Sequence, residues 1–304
     1  MSSTIRFLKR QQINDDLWNK RVSDAEHKLP YTFSWYLDAA TRSKWDAVVY
    51  GNYEFLLPLP LNLKWFGLPR VVTPPFCQQL GVLATSADLA SPASQVEAND
   101  RIRAMLEAIP GRYLKLHLQL SLPSDLGQLA ALRPRTNLCI DLSNQSYQKI
   151  TKNYSKSLKK RIRRASGQYR LVASEDVPAL IELYKKEVGT KANLKSWMYQ
   201  RIQAIINECL ARDYGQVWSA VHLDGSAHAM GFFAGQCRII NLFGASNESG
   251  RAGFAMHFML DQVMKNALDK GASIFDFEGS EIPGVRSFFQ SFGPSEEPYW
   301  VYQK

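Results

Sequence analysis

Only four of the 304 residues are cysteine, and Cys77, Cys139, Cys209 and Cys237 stand far apart with no Cys-x-x-Cys spacing. That excludes a disulfide scaffold. The five histidines, His27, His117, His222, His228 and His257, form no ligand pair beside a cysteine, so no zinc site and no other metal is expected. No uninterrupted apolar run approaches the roughly 20 residues of a membrane span. The start, MSSTIRFLKRQQIN, lacks the apolar stretch of a signal peptide. A soluble, cytoplasmic protein without a transmembrane segment is the expectation; oligomeric state does not follow from these residues. No Ser-His-Asp set or Cys-His pairing announces a covalent nucleophile. One further absence is local: no acidic residue occurs from Ser143 to Arg170.

That same stretch holds nine basic residues, Lys149, Lys152, Lys156, Lys159, Lys160, Arg161, Arg163, Arg164 and Arg170. The whole chain carries 37 Lys and Arg against 28 Asp and Glu, so outside the stretch 28 cations face 28 anions. A near-neutral globule with one localised basic element points to a polyanionic ligand, because a patch focuses potential. Tyr147, Ile150, Tyr154, Leu158, Ile162 and Ala165 recur at intervals of three and four. This predicts one helix with an apolar stripe and a cationic face, ended by Gly167. The competing reading is a solvated face that happens to be of one sign, although like charges along a helix repel at i,i+4 and cost stability.

A chain of this length with 45 % hydrophobic residues can bury two cores. Hydrophobic periodicity gives the same order of elements twice. The first copy has strands at 5–8, 45–50, 55–63, 80–84, 113–118 and 137–142, with helices at 15–26, 33–42, 94–109 and 125–132. The second has strands at 169–173, 216–223, 228–235, 238–243, 273–277 and 299–302, with helices at 176–188, 196–211, 253–270 and 285–291. Corresponding elements are offset by roughly 160 residues, the signature of an internal repeat. The expected organisation is a domain at 1–143, a basic connecting helix at 144–168 and a second domain at 169–304. Clefts between domains are favoured ligand sites, which suits a basic connector. The aromatic stretch Tyr53 to Phe76, with Lys64, Trp65 and Phe66, reads as paired strands with proline-bounded loops.

Two segments of the second copy can carry chemistry. After the strand at 238–243 comes GASNESGRAG, where Gly244, Gly250 and Gly253 surround Asn247 ahead of a helix. Strand, glycine loop and helix start form an anion cradle, because first-turn N–H groups and the helix dipole face the loop. The next strand ends in FDFEGS, where alternation turns Phe275 and Phe277 one way and Asp276 and Glu278 the other. Carboxylates at the carboxyl end of a strand can act as a general base or hold an amine. A salt bridge to Arg286 or to the basic helix is the alternative.

The run SKSLKKRIRRA (Ser155 to Ala165) resembles the serine, basic, Ile-Arg-basic-Ala signature of FemABX-like proteins. FDFEGSEIPGVRSFFQSFG (Phe275 to Gly293) is similar to their closing block. In the first half, TPPFCQQLGVLA (Thr73 to Ala84) is similar to the family's Pro-Pro and Leu-Gly stretch. The branch called FemAB-like or BioF2-like acetyltransferases is the nearer one. The resemblance implies an α/β (α+β) fold of two tandem GNAT domains (Gcn5-related N-acetyltransferase), each a mixed, mostly antiparallel sheet flanked by helices. It implies acyl transfer from an activated donor to an amine acceptor. Acyl-CoA is the leading donor, and aminoacyl-tRNA, the donor of the best-known members, is the alternative. GNAT enzymes hold the coenzyme A pyrophosphate with a Gln/Arg-x-x-Gly-x-Gly/Ala loop; the nearest match here is Asn247, Gly250 and Ala252, followed by Gly253. Glu278 and Asp276 are the candidate catalytic carboxylates. Lys159, Lys160, Arg161, Arg163, Arg164 and Arg286 are candidate contacts to the phosphate-bearing donor. From a different class, a catalytically idle nucleic-acid-binding protein would use the same basic helix.

Overall fold

The predicted strands and helices recur in order, with an unpredicted strand at 70–72 and an unpredicted short helix at 248–252, in a computed structural model that describes residues 4–25, 29–62, 69–83, 91–122, 132–279 and 282–304. The chain forms two compact units, one of residues 1–136 with 298–304 and the other of residues 137–297. The expected connector at 144–168 therefore lies within the second unit. The expected helix at 125–132 and the residues Lys64, Trp65 and Phe66 lie outside the described residues.

In the first unit, β1 (Ile5–Lys9), α1 (Asp15–Asp24), α2 (Ser34–Thr41), β2 (Trp45–Tyr50), β3 (Phe55–Asn62), β4 (Arg70–Val72), β5 (Leu80–Gly81), α3 (Pro92–Glu107) and β6 (Leu116–Ser121) follow one another. Side chains start the helices: Asn14 accepts from the Asp16 and Leu17 amides, and Ser91 from Ser94 with Pro92 at the first turn. The sheet order is β1-β2-β3-β4-β6, antiparallel except that β4 and β5 run parallel to β6. Trp18 and Trp45 meet edge to face at 5.0 Å in its core.

The second unit begins within β7 (Leu132–Asp141) and continues through α4 (Tyr147–Lys152), α5 (Lys156–Ser166), β8 (Tyr169–Ser174), α6 (Val177–Tyr184), α7 (Ser196–Leu210), β9 (Gly215–His222), β10 (Ala227–Ala234), β11 (Arg238–Ser246), α8 (Glu248–Ala252), α9 (Ala255–Asp269), β12 (Ile274–Asp276) and α10 (Pro283–Gln290). The chain ends in β13 (Ser295–Gln303). The sheet order is β7-β12-β11-β10-β9-β8, antiparallel except for β11 and β12. Each repeat lends its last strand away. Residues 139–141 of β7 pair with β12, while residues 300–303 of β13 pair with β6.

The predicted single basic helix is in fact two. Asn153 ends α4, and the Ser155 hydroxyl caps α5 by accepting from the Leu158 amide at 3.1 Å. The apolar stripe still holds, because Ile150, Tyr154, Leu158 and Ala165 enter one core with Phe258, Met259 and Phe275. Helices cover both faces of this sheet. Phe243 of β11 meets Tyr184 at the end of α6, with ring centroids 5.8 Å apart. A Cβ on the next residue, Gly244, would instead meet Met256 of α9 at 3.4 Å.

Candidate functional site: the divergence of two parallel strands

Strands β11 and β12 pair over three positions only, Arg238 with Ile274, Ile239 with Phe275 and Ile240 with Asp276. β12 then stops while β11 runs on to Ser246. Beyond Ile240, the side of β11 facing away from β10 has no strand partner among the described residues. The pair thus has a closed end and an open end.

A buried polar cluster locks the closed end. Arg238, 3 % exposed, donates from Nε to Asp276 Oδ2 at 2.7 Å and from Nη1 to Glu297 Oε1 at 3.2 Å, and its Nη2 pairs with both carboxylates. Asn137 Nδ2 donates to both Asp276 oxygens at 3.0 and 3.1 Å. Cys139 fills the remaining space, 3.2 Å from Arg238 Nη2, and burial pushes its thiol far above the usual range. The nomination of Asp276 as a catalytic carboxylate is therefore corrected. At 1 % exposure, with both oxygens taken, it is the counter-ion of a buried guanidinium and has no lone pair free to take a proton from substrate.

Glu278 stands at the open end. It does not extend the strand, as alternation predicts, but turns out of it with φ of 58°, a left-handed conformation unusual for a side-chain-bearing residue. Its amide donates to Asp276 Oδ1 at 2.7 Å, so the locked cluster fixes the turn that presents Glu278. Such strain is held where surrounding structure over-determines it, commonly at working sites. Tyr184 lies nearby: burial, with the Glu278 carboxylate and the Tyr199 phenol as further causes, pushes its phenol up to about 12. Directly after Tyr184, residues Lys185–Gly189 form a π-helical turn, a local widening frequent at functional sites. Glu187 of this turn pairs with Arg251 of α8 at 2.5 Å, and Arg251 also donates to the Ser246 carbonyl at 2.6 Å. Tyr184 and the π turn carry no sequence signal, since helical periodicity runs unbroken through Tyr184.

The glycine loop is packed more tightly than a bare cradle. Asn247 Oδ1 accepts from the Gly250 amide at 2.7 Å, making it the cap of the short helix α8. A Cβ on Gly250 would lie 2.2 Å from the His228 carbonyl oxygen, and one on Gly253 would lie 2.2 Å from Tyr169 Oη. Both glycines are thus explained by close approach to β10 and β8. Ala252 is exposed.

On the α9 face, Lys156, Ser157, Lys160, Arg161, Arg164 and Phe254 line a groove of about 450 Å³. Phe254 takes a left-handed φ of 63° just before α9, and the guanidinium carbons of Arg161 and Arg164 sit 5.5 and 5.6 Å from its ring centre. Arg161 also donates to His257 Nε2 at 3.2 Å; burial, then the Arg161 charge, lowers that imidazole to about 4. Of the predicted phosphate contacts, the structure brings Lys160, Arg161 and Arg164 to this groove. Lys159 instead donates to the Lys152 carbonyl at 2.9 Å, Arg163 lies exposed outside the lining, and Arg286 pairs with Glu296 at 2.8 Å. Another cavity of about 390 Å³, lined by Trp218, Phe233, Ile239 and Val263, lies where β11 begins, at the end of the strand away from the loop and groove. Among the described residues no helix is long and apolar enough to cross a membrane.

No protein-family model and no curated protein sequence matches the chain. Solved structures do. FemX is similar with a TM-score of 0.67 at 12 % identity, covering 95 % of this chain and 96 % of its own. L-PGS from Bacillus licheniformis gives 0.56 at 11 % identity, covering 96 % and 92 %. A tandem GNAT protein from the clavulanic acid biosynthesis pathway gives 0.50 at 14 % identity, covering 99 % and 98 %. With two units built on the same order of elements, and with these likenesses along nearly the whole length, the chain has the tandem GNAT fold of the FemABX-like proteins.

Proposed function

We propose that the protein is an N-acyltransferase that moves an acyl group from a phosphate-bearing thioester, acyl-CoA, to an amine, with the reacting centre where β11 and β12 part. The observation that carries this reading is Glu278, held in a left-handed turn at the open end of the strand pair beside the half-buried Tyr184. Acyl transfer needs a proton acceptor for the amine, a proton donor for the leaving sulfur and N–H groups for the developing oxyanion. Glu278 accepts the amine proton as the C–N bond forms. Tyr184, raised to about 12, keeps its proton at neutral pH and delivers it to the thiolate as the C–S bond breaks. The edge of β11 beyond Ile240, which has no further strand partner on that side among the described residues, supplies main-chain N–H groups for the oxyanion. Asn247, Gly250, Ala252 and Gly253 bound the loop at the end of that edge, where the phosphates of the donor are placed by the cations of the groove.

A second reading rests on the same groove. Four cations on one exposed helical face, with an aromatic ring between them, also suit the backbone of a nucleic acid. The donor is then an aminoacyl-tRNA, and the transferred acyl group an amino acid. The C-terminal domain of an Agrobacterium fabrum protein named as a lysylphosphatidylglycerol synthetase is also similar in structure (TM-score 0.51, 12 % identity).

The test is thiol release from acetyl-CoA with a panel of amines, together with thermal stabilisation by coenzyme A. Glu278→Gln is expected to lower turnover by about 10²–10⁴-fold, the usual worth of a positioned base, with the melting temperature unchanged. If coenzyme A neither stabilises the protein nor is turned over, while aminoacyl-tRNA binds with a steep salt dependence, the donor is tRNA. If Glu278→Gln leaves transfer from either donor intact, or neither donor reacts, the catalytic reading fails and a nucleic-acid-binding role stands.

A further inference from the structure

The hairpin joining β9 to β10 gathers three groups with metal-binding chemistry that acyl transfer does not use. His222 closes β9, Asp224 and Ser226 form the turn, and His228 lies on β10 at a bulge between Ala227 and Ala229. The bulge brings the two imidazoles to the same side, with rings stacked 4.8 Å apart and 9° from parallel. Asp224 Oδ2 lies 3.0 Å from His222 Nδ1, while its other oxygen accepts from the Ser226 amide at 2.8 Å and the Ser226 hydroxyl at 2.6 Å. His228 Nε2 is 2.9 Å from Ser226 Oγ, and its Nδ1 is 3.0 Å from Tyr169 Oη. One ligand atom from each of His222, Asp224 and His228 falls within 4.8 Å of the others.

We infer that His222, Asp224 and His228 hold a divalent first-row transition ion of the zinc or cobalt type, with water in its remaining positions. Two imidazole nitrogens and one carboxylate match the preference of these ions. A single carboxylate is too few oxygens for calcium or magnesium, which take oxygen ligands almost throughout. Tyr169 supplies the outer contact that metal-bound imidazoles characteristically make: when His228 Nε2 ligates, its Nδ1–H donates to the phenol and fixes the ring. Binding turns the stacked rings until their lone pairs converge. Ser226 then releases Nε2 and keeps its bonds to Asp224, so that Oδ2 is oriented toward the ion.

The position gives the ion a consequence. The His228 carbonyl accepts from the Asn247 amide at 3.1 Å and from Ser246 Oγ at 3.1 Å, and Tyr169 Oη occupies the space a side chain on Gly253 would need. The ion thus ties together the strand ends beneath the loop between β11 and α8. This inference is independent of the donor assignment, because it requires only folded protein.

The experiment uses untagged, chelator-treated full chain titrated with zinc chloride in a calorimeter and with cobalt(II) by visible absorption. A single equivalent of either ion is expected to bind and to raise the melting temperature. His222→Ala and His228→Ala are expected to abolish binding, and Tyr169→Phe to weaken it about tenfold. Asp224→Asn, at an exposed turn, decides the matter if a histidine variant fails to fold, and it is expected to weaken binding by at least about tenfold. Absence of saturable binding to the unsubstituted chain overturns the assignment, as does full retention of binding in folded His228→Ala or Asp224→Asn.

Discussion

Asp276 and Glu278 are two residues apart on one strand end, yet they stand in opposite chemical settings. Asp276 has one oxygen on a buried guanidinium and both within reach of Asn137 Nδ2, whereas Glu278 is turned by its own amide bond to Asp276 toward the place where β11 loses its strand partner. The first carboxylate is spent on holding the strands together, and by accepting the Glu278 amide it also sets the turn that presents the second. The contrast teaches that a carboxylate pair at a strand end need not act as a pair: one member can build the rigid frame that the other requires.

Breaking the closed end has the largest expected effect. Arg238→Met leaves the buried Asp276 and the half-buried Glu297 without their cation, and removing one partner of a buried ion pair costs about 3–5 kcal/mol. Urea denaturation should show that loss, and the turn carrying Glu278 should lose its anchor with it. Stability within about 1 kcal/mol of the unsubstituted chain would mean that the cluster does not frame the site.

The open end is tested in the opposite sense by Glu278→Gly. A left-handed φ costs a side-chain-bearing residue about 1–2 kcal/mol, and glycine removes that cost while giving back part of it in chain entropy. The variant should keep its stability or gain up to about 1 kcal/mol, yet lose about 100-fold or more in transfer rate. Lower stability with intact turnover would reverse the roles assigned to the two carboxylates.

The order of elements was legible in the sequence because it rests on periodicity, which each segment carries within itself. Even the start of α5 had its signal, a serine three residues before Leu158, although the apolar stripe running across Asn153 and Ser155 concealed the break. Partnerships across strands were not legible. Arg238 and Asp276 are 38 residues apart, and only the register of a parallel pair reveals that they meet. The cluster of His222 and His228 depends likewise on a one-residue bulge, which sequence alone does not place. The basic helix was identified by composition, but composition could not tell which of its cations share a face with Phe254.

The α9 face also has a pH signature of its own. His257 is half-buried beside Arg161, and that burial together with the Arg161 charge lowers it to about 4, below the ordinary value of about 6.5 that it regains on unfolding. Its neutral form is favoured in the folded state, so its contribution is fully present above about pH 6.5 and is lost as pH falls toward 4. Stability should decline by about 2 kcal/mol over that window, and His257→Leu should flatten the decline. Thermal melts at a series of pH values measure both; an equal slope in the two proteins would place the titration elsewhere.

Within α5 the comparison narrows to neighbouring cations on one helix. Lys156, Lys160 and Arg164 are four residues apart, so they form one row, and the structure places that row on the groove around Phe254. Lys159 and Arg163 form a second row outside the lining, with Lys159 bonded to the carbonyl of Lys152. Lys160→Glu with Arg164→Glu should therefore weaken a phosphate-bearing ligand by about tenfold or more and reduce the salt dependence of its binding. Lys159→Glu with Arg163→Glu changes the net charge equally, so a ligand that senses only overall charge would weaken to the same extent. A ligand seated in the groove would lose far less, while stability in both variants stays within about 0.5 kcal/mol. Equal losses in the two double variants, read by fluorescence anisotropy with labelled coenzyme A or tRNA, would show that the groove selects nothing and that the helix acts only as a diffuse source of potential.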